Sequence, residues 1–414
     1  MRFVLLLLFT LFVLPAYAQR VVTTGAQRLV DADFAALDSL RVGLVTNHTA
    51  RVDTADGGPA HLIDRLEAAP NVTLAALFGP EHGLRGTAEA GAAVENARDA
   101  ATGVPVYSLY GATKKPPPES LEGLDALVFD MQDIGARFYT YISTMGYAMQ
   151  AAAEAGIPFV VLDRPNPLGG RVSGFVLDPE HVSFVGRYPI PIQHGMTVGE
   201  LARAIRGEGW LPGPDSLDLR IVELEDWRRD MLWPDTGLPF VPTSPNIPDF
   251  ETALVYPGVA LFEGTGVSEG RGTDTPFRLV GAPWLDGATL ADTLNARDLP
   301  GVRFEAVRFT PRSIPGVAEN PKLEGEETAG VRFVVTDARA VRPVELGVHL
   351  LHAAYAQRPP DLDFFNADWL AKLAGTRHLQ RMLEAGASPE RIIAVWQDEV
   401  VRFQEARQAY LLYE

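Results

Sequence analysis

Five short apolar runs in the amino-terminal half each end abruptly in ionisable or hydroxyl- and amide-bearing side chains, and this pattern constrains the fold most. Arg41–Asn47 runs into His48-Thr49, and Val72–Phe78 stops at Gly79-Pro80 and delivers Glu81, His82 and Arg85. Val104–Tyr107 reaches Ser108. Leu124–Met131 turns polar at Asp130, Gln132 and Asp133, and Phe159–Leu162 meets Asp163-Arg164-Pro165-Asn166. Between the runs, His61–Ala68 and Tyr139–Ala155 carry apolar residues at helical spacing. Continuous apolar strands alternating with helices predict an α/β fold, a Rossmann-like doubly wound parallel sheet with right-handed crossovers. All the strand carboxyl ends then open on one edge, where such sheets bind ligands. A turn with a solvated tip explains any one polar end. Five in succession mark a site.

The first residues stand apart. Met1-Arg2 is positive, Phe3–Val13 is almost wholly apolar, and Ala16-Tyr17-Ala18 has the small-x-small form of a signal peptidase site. Residues 1–18 are therefore read as a signal peptide, which predicts an exported, periplasmic or extracellular protein with no membrane span after cleavage. The 414-residue chain has no cysteine, which removes thiolate nucleophiles and Cys-ligated metals, and a chain of this size is stable without disulfides. A net charge of −17 repels nucleic acid phosphates, so no nucleic-acid partner is expected. Neither G-x-G-x-x-G after the first strand nor a P-loop pattern occurs, so the sheet is expected to work without a dinucleotide or other cofactor.

The second half is read as a smaller α+β domain. Thr197-Val198-Gly199-Glu200 forms a capping box before Leu201, Ala204 and Ile205, and Leu219–Val222 is a short strand. Phe240–Phe250 is too rich in proline for a regular element, so the boundary is placed there: 19–249 Rossmann-like, 250–414 carboxyl-terminal. Val259–Phe262 is expected to be a strand before a long glycine-rich loop to Phe277. That loop contains G-x-S-x-G at Gly266–Gly270, but the glycines and Thr273-Asp274-Thr275-Pro276 that follow cannot begin the helix a nucleophile elbow needs. Strands at Val302–Thr310 and Gly330–Thr336 and helices at Val344–Gln357, Ala367–Ala385 and Pro389–Tyr410 complete the reading.

No H-E-x-x-H or H-x-H spacing supports a metal, and no metal site is expected. Carboxylates are abundant at the predicted edge and in the glycine loop: Glu81, Asp130, Asp133, Glu263 and Glu269. A carboxyl half-buried beside Phe78 has a raised pKa and suits general acid work, and paired carboxyl groups are the glycosidase arrangement. Tyr107, Tyr110, Phe138, Tyr139 and Tyr141 suit sugar faces. Sugar binding without catalysis uses the same residues.

The motifs VTNHTA (45–50), FGPEHGLRG (78–86), FDMQDIGARFYTYISTM (129–145), DRPNPLGG (163–170), PIQHGMTVGELA (191–202), PTSPNIP (242–248) and FEGTGVSEGRGTDTPF (262–277) resemble the NamZ family, glycoside hydrolase family 171, formerly DUF1343. The resemblance covers nearly the whole mature chain. It implies an exported exo-β-N-acetylmuramidase, releasing N-acetylmuramic acid from the non-reducing ends of peptidoglycan fragments. It also implies a Rossmann-like domain and a smaller carboxyl-terminal domain with the active site between them. By resemblance Glu81 is the general acid/base and His82 its neighbour. Asp130 and Glu269 are candidates for the second catalytic group, which the substrate's own 2-acetamido group can replace. Arg85, Arg137, Arg164 and Arg271 are available to the lactyl carboxylate. The matched motifs add Asn47, His48, Asp133, Tyr139, Asn166, His194, Asn246, Glu263 and Thr273 as expected substrate contacts. The rivals are a non-catalytic muropeptide-binding protein and a cell-wall esterase or amidase.

Overall fold

A computed structural model of the chain describes residues 21–54, 57–80, 84, 97–111, 113–212 and 216–414. The expected signal segment, Glu81, His82 and Arg85 lie outside the described residues.

Six parallel strands form the main sheet: β1 (Arg41–Thr46), β2 (Thr73–Gly79), β3 (Pro105–Ser108), β4 (Ala126–Asp130), β5 (Phe159–Leu162) and β6 (Leu219–Val222), in the order β3-β2-β1-β4-β5-β6. Ala97–Arg98 adds a short antiparallel edge beside β3. The chain runs outward from β1 through β2 to β3, then returns to the other side of β1 with β4. The topological switch therefore lies between β1 and β4, which are in register at Val45–Phe129 and Thr46–Asp130. Alternate strand residues face opposite sides, and both sides are covered. Val42, Leu44, Val128 and Val160 pack on α1 (Gly25–Asp31) and α2 (Leu62–Glu67). Val45, Leu127, Phe129 and Val161 pack on α3 (Tyr141–Ala155) and α4 (Val198–Gly207). Burial on both faces is why these strands read as unbroken apolar runs. The capping box of α4 is formed in full: Glu200 N donates to Thr197 Oγ1 at 3.2 Å and Thr197 N to Glu200 Oε2 at 3.0 Å.

The smaller second part holds an antiparallel sheet of β7 (Leu279–Ala282), β9 (Thr328–Val335) and β8 (Val302–Phe309), in that order. Around it lie α5 (Phe250–Val259), α6 (Gly287–Asn295), α7 (Pro343–Gln357) and α8 (Ala367–Ala374). Its Val280, Phe333 and Leu350 belong to the same apolar cluster as Phe78 and Phe129, so the two parts share a core.

The expected strand Val259–Phe262 is instead the end of α5 and a 3-10 turn over Ala260–Gly264. An unbroken apolar run fits either element, and packing decided it. Asp249 caps α5 by accepting Thr252 N at 2.8 Å, and the backbone of Gly258 lies against that of Gly347 in α7. The expected helix Ala367–Ala385 breaks at Gly375, a left-handed cap at φ +81°, and resumes as His378–Glu384. Pro389–Tyr410 likewise divides at the buried Trp396 into Pro389–Val395 and Gln397–Ala406.

Candidate active site

The strand ends at the switch carry a buried polar network. Thr46 Oγ1 donates to the Asp130 carbonyl at 2.9 Å, fixing β1 to β4 at the edge. Asn47 Oδ1 accepts Thr49 N and Thr49 Oγ1 at 3.0 and 2.6 Å, turning the chain as it leaves β1. Asp130 and Arg164 form a buried two-pronged pair, at 2.5 Å to Nε and 2.9 Å to Nη2. Asp133 Oδ2 accepts Gly135 N at 2.7 Å and faces His194 Nε2 at 3.6 Å. His194 Nδ1 accepts Met196 N, which leaves the proton on Nε2, toward Asp133. Asn166 accepts Leu168 N and donates to Met196 O. His48 contacts the Pro242 carbonyl at 2.6 Å through Nε2, and burial lowers its pKa. These side chains hold one another and the loops around them. None of them lines the cleft.

The cleft, about 650 Å³, opens between the two parts of the molecule. Tyr139, Tyr141, Phe138, Tyr256 and Phe277 line it and interlock edge to face, with Tyr139–Tyr141 and Tyr256–Phe277 centroids both 4.8 Å apart. The Tyr141 hydroxyl donates to Thr243 O at 2.8 Å, tying α3 to the segment that presents Asn246. Since α3 begins at Tyr141, its positive dipole end faces the cleft and favours a negative ligand group there. Phe277 adopts φ +58°, a conformation costing roughly 1 kcal/mol or more for a bulky residue, and its N–H is fixed on Glu269 O at 2.7 Å.

Glu263 and Arg271 also line the cleft, 3.0 Å apart, with the guanidinium 5.0 Å from the Phe277 ring centre. Burial works against the Arg271 charge, but the Glu263 and Glu269 carboxylates more than offset it and hold the group protonated. Glu269 is buried behind them, 3.6 Å from Arg271 Nε and 2.7 Å from Lys322 Nζ. Thr273 Oγ1 donates to Gly270 O at 2.6 Å and shapes the loop. Ser268 is buried and paired through its backbone with Gly281, with no helix after it. Lys114 and Lys372 stand at the rim, 4.6 Å from Phe184 and 5.8 Å from Trp369.

The three described arginines thus separate. Arg164 is committed to Asp130. Arg137 is fully buried and donates to the carbonyls of Phe175 at 2.7 Å, Ile190 at 2.9 Å and Leu373 at 2.7 Å; burial lowers its pKa to about 9. Of the three only Arg271 lines the cleft. Tyr139, Asn246 and Glu263 line it too, whereas Asn47, Asp133, Asn166 and His194 do not. Sequence reading missed Tyr256, Phe277, Trp369, Lys114, Lys372 and Lys322. Tyr256 and Phe277 carried a signal, as rings flanking the expected glycine loop. Among the described residues no cluster of three or more His, Asp or Glu side chains could hold a metal ion.

Residues 42–251 match the family described as Exo-beta-N-acetylmuramidase NamZ, N-terminal, and residues 254–413 its C-terminal counterpart. The chain is 46% identical over 393 residues to the peptidoglycan beta-N-acetylmuramidase NamZ of Bacillus subtilis (strain 168), spanning 95% of this chain and 91% of that protein. Crystal structures of two DUF1343 family proteins from Bacteroides fragilis NCTC 9343 superpose with TM-scores of 0.86 and 0.77, at 37% and 35% identity. Each covers 95% of this chain, and 100% and 99% of its own. On the length of these matches and the shared fold, the chain belongs to the NamZ family.

Proposed function

We propose that this chain is an exo-acting β-N-acetylmuramidase that hydrolyses the bond of a non-reducing terminal N-acetylmuramic acid in peptidoglycan fragments. One observation carries the reading: a cleft that sets an arginine, held charged, beside aromatic faces, in a member of this family. Aromatic faces stack on sugar rings, and the free guanidinium edge suits the lactyl carboxylate that distinguishes muramic acid from glucosamine. We assign that carboxylate to Arg271, because among the described candidates Arg137 and Arg164 have their donors engaged elsewhere and Arg271 lines the cleft.

Glu81 is assigned as the proton donor. The assignment rests on the FGPEHGLRG motif of the family; the described residues nearby reach the cleft, where Gly79 O accepts Leu109 N at 2.8 Å and Tyr110 and Gly111 form part of the lining. Asp130 and Glu269 are each neutralised by cations and buried, which suits neither to attack an anomeric carbon. The substrate's acetamido oxygen is therefore the nucleophile in this reading. Glu81 protonates the glycosidic oxygen as the C–O bond breaks, the acetamido oxygen bonds to C1, and water opens that ring while Glu81 takes back its proton. Residues 1–18 direct export in the same proposal, and the domain boundary stays at 249/250. Among the described residues no helix is long and apolar enough to cross a membrane.

The test is turnover of an aryl β-N-acetylmuramide by the wild type and Glu81→Gln, repeated with N-fluoroacetyl substrates. A loss of about 10²-fold or more in Glu81→Gln is expected, with rates falling as fluorination weakens the acetamido oxygen. Turnover that survives Glu81→Gln removes that residue from the role. Rates indifferent to fluorination remove the acetamido nucleophile.

A further inference from the structure

The long connection between β8 and β9 lies against the back of the glycine loop. Arg312 N donates to Gly272 O at 2.9 Å, and Val317 O accepts Asn246 Nδ2 at 2.6 Å, so the connection touches two segments that build the cleft. Lys322 is its most engaged residue. Its Nζ lies 2.7 Å from Phe262 O, 3.1 Å from Thr265 O, 2.6 Å from Val267 O and 2.7 Å from Glu269 Oε2. Three peptide dipoles and a carboxylate converge on one point, and a cation with several donors satisfies it.

The charges around that point form a short chain. Glu263 is 3.0 Å from Arg271, Arg271 is 3.6 Å from Glu269, and Glu269 is 2.7 Å from Lys322. Lys322 is thus the nearer cation to Glu269, which leaves Arg271 placed against Glu263 on the cleft wall. Without the ammonium, the buried Glu269 carboxylate keeps Arg271 as its one cation within salt-bridge distance among the described residues. An uncompensated buried charge is costly, so the guanidinium is drawn inward, away from the cleft.

We infer that Lys322 is a positioning residue for Arg271: by neutralising Glu269 and pinning the loop, it keeps the guanidinium at the cleft surface for a ligand carboxylate. This rests on the reading that Arg271 receives the lactyl carboxylate.

The experiment compares an aryl β-N-acetylmuramide with its lactyl methyl ester for the wild type, Lys322→Gln, Lys322→Arg and Arg271→Gln, with a melting temperature for each. The wild type prefers the free acid. Lys322→Gln, which keeps donors but loses charge, is expected to cut that preference about tenfold, the scale of one displaced charge-assisted contact. The loss falls mainly on KM for the acid, with kcat moving less, and Lys322→Arg recovers most of it. A lowered melting temperature with the preference intact makes Lys322 merely structural and overturns the inference. If Arg271→Gln loses the preference while Lys322→Gln keeps it, the positioning role alone falls. If Arg271→Gln keeps it, the carboxylate reading fails and the positioning role with it. Should Lys322→Gln not fold, Lys322→Arg decides: preference kept supports the charge role, and preference lost at an unchanged melting temperature overturns it.

Discussion

Arg137 and Arg271 carry the same guanidinium and meet opposite fates. Arg137 spends its donors on three carbonyls, one of them Leu373 O from the second part of the molecule, and sees no solvent. Arg271 keeps an edge on the cleft. Replacing Arg137 with Met strands three buried acceptors, each worth about 1–3 kcal/mol, so destabilisation of roughly 3 kcal/mol or more is expected in urea unfolding. A loss within 1 kcal/mol would mean that those carbonyls find other donors. The motif GARFYTY names an arginine beside the aromatic cluster without saying which way it turns. Only the carbonyls from the Ser173–Val176 strand, Ile190 and α8, all distant in sequence, decide that.

Among the elements, α5 and α7 meet where two glycines let their backbones touch. A Cβ on Gly258 would sit 1.9 Å from Pro343 O, and one on Gly347 would sit 2.4 Å from Gly258 O. Helix propensity alone predicts that Gly258→Ala stabilises by about 1 kcal/mol. Overpacking predicts a loss of about 1–3 kcal/mol, and contact with rigid backbone makes the loss the expected sign. The midpoint of denaturant unfolding distinguishes the two. The same contact explains why Val259–Phe262 misled as a strand: Pro257-Gly258 looks like a breaker in sequence but serves as a packing surface in the fold. By contrast β1, β2, β4 and β5 were legible to within a few residues, because each is a short apolar run that stops abruptly in polar or turn-forming residues and alternates with helical segments.

Across the whole molecule, the chain's end returns to the carboxyl end of β5 and to α4. Tyr413 donates to Asp163 Oδ2 at 2.6 Å, beside Thr197 Oγ1 at 2.8 Å, while Gly199 N donates to Oδ1. Arg203 holds the carbonyls of Tyr410 and Leu411, and Arg407 those of His194 and Gly195. Burial pushes the Asp163 carboxyl up to about 7, despite the hydrogen bonds from Tyr413, Gly199 and Thr197 that lower it. A folded pKa above the unfolded value of about 3.9 favours the protonated folded state. Its contribution is complete below about pH 4 and is lost as pH rises through about 7. The melting-temperature gap between wild type and Asp163→Asn should therefore shift against the wild type from pH 4 to 7 and level off above. A gap that moves the other way would show that the hydrogen bonds, not burial, control this carboxyl.

Read along the chain, the residues already specify the parallel sheet, the edge on which polar residues gather and, through seven motifs, the family. Those follow from local periodicity and from residue order, which need no partner in space. Packing in three dimensions sorts the polar residues into those that pair with one another and those that line the cleft. It paired Asp130 with Arg164 and Glu269 with Lys322, and it joined Tyr139 to Tyr256 and Phe277. Such pairings join residues far apart in the chain, and burial fixes the outcome: a charge removed from water must find a counter-ion or hydrogen-bond acceptors within a few ångströms.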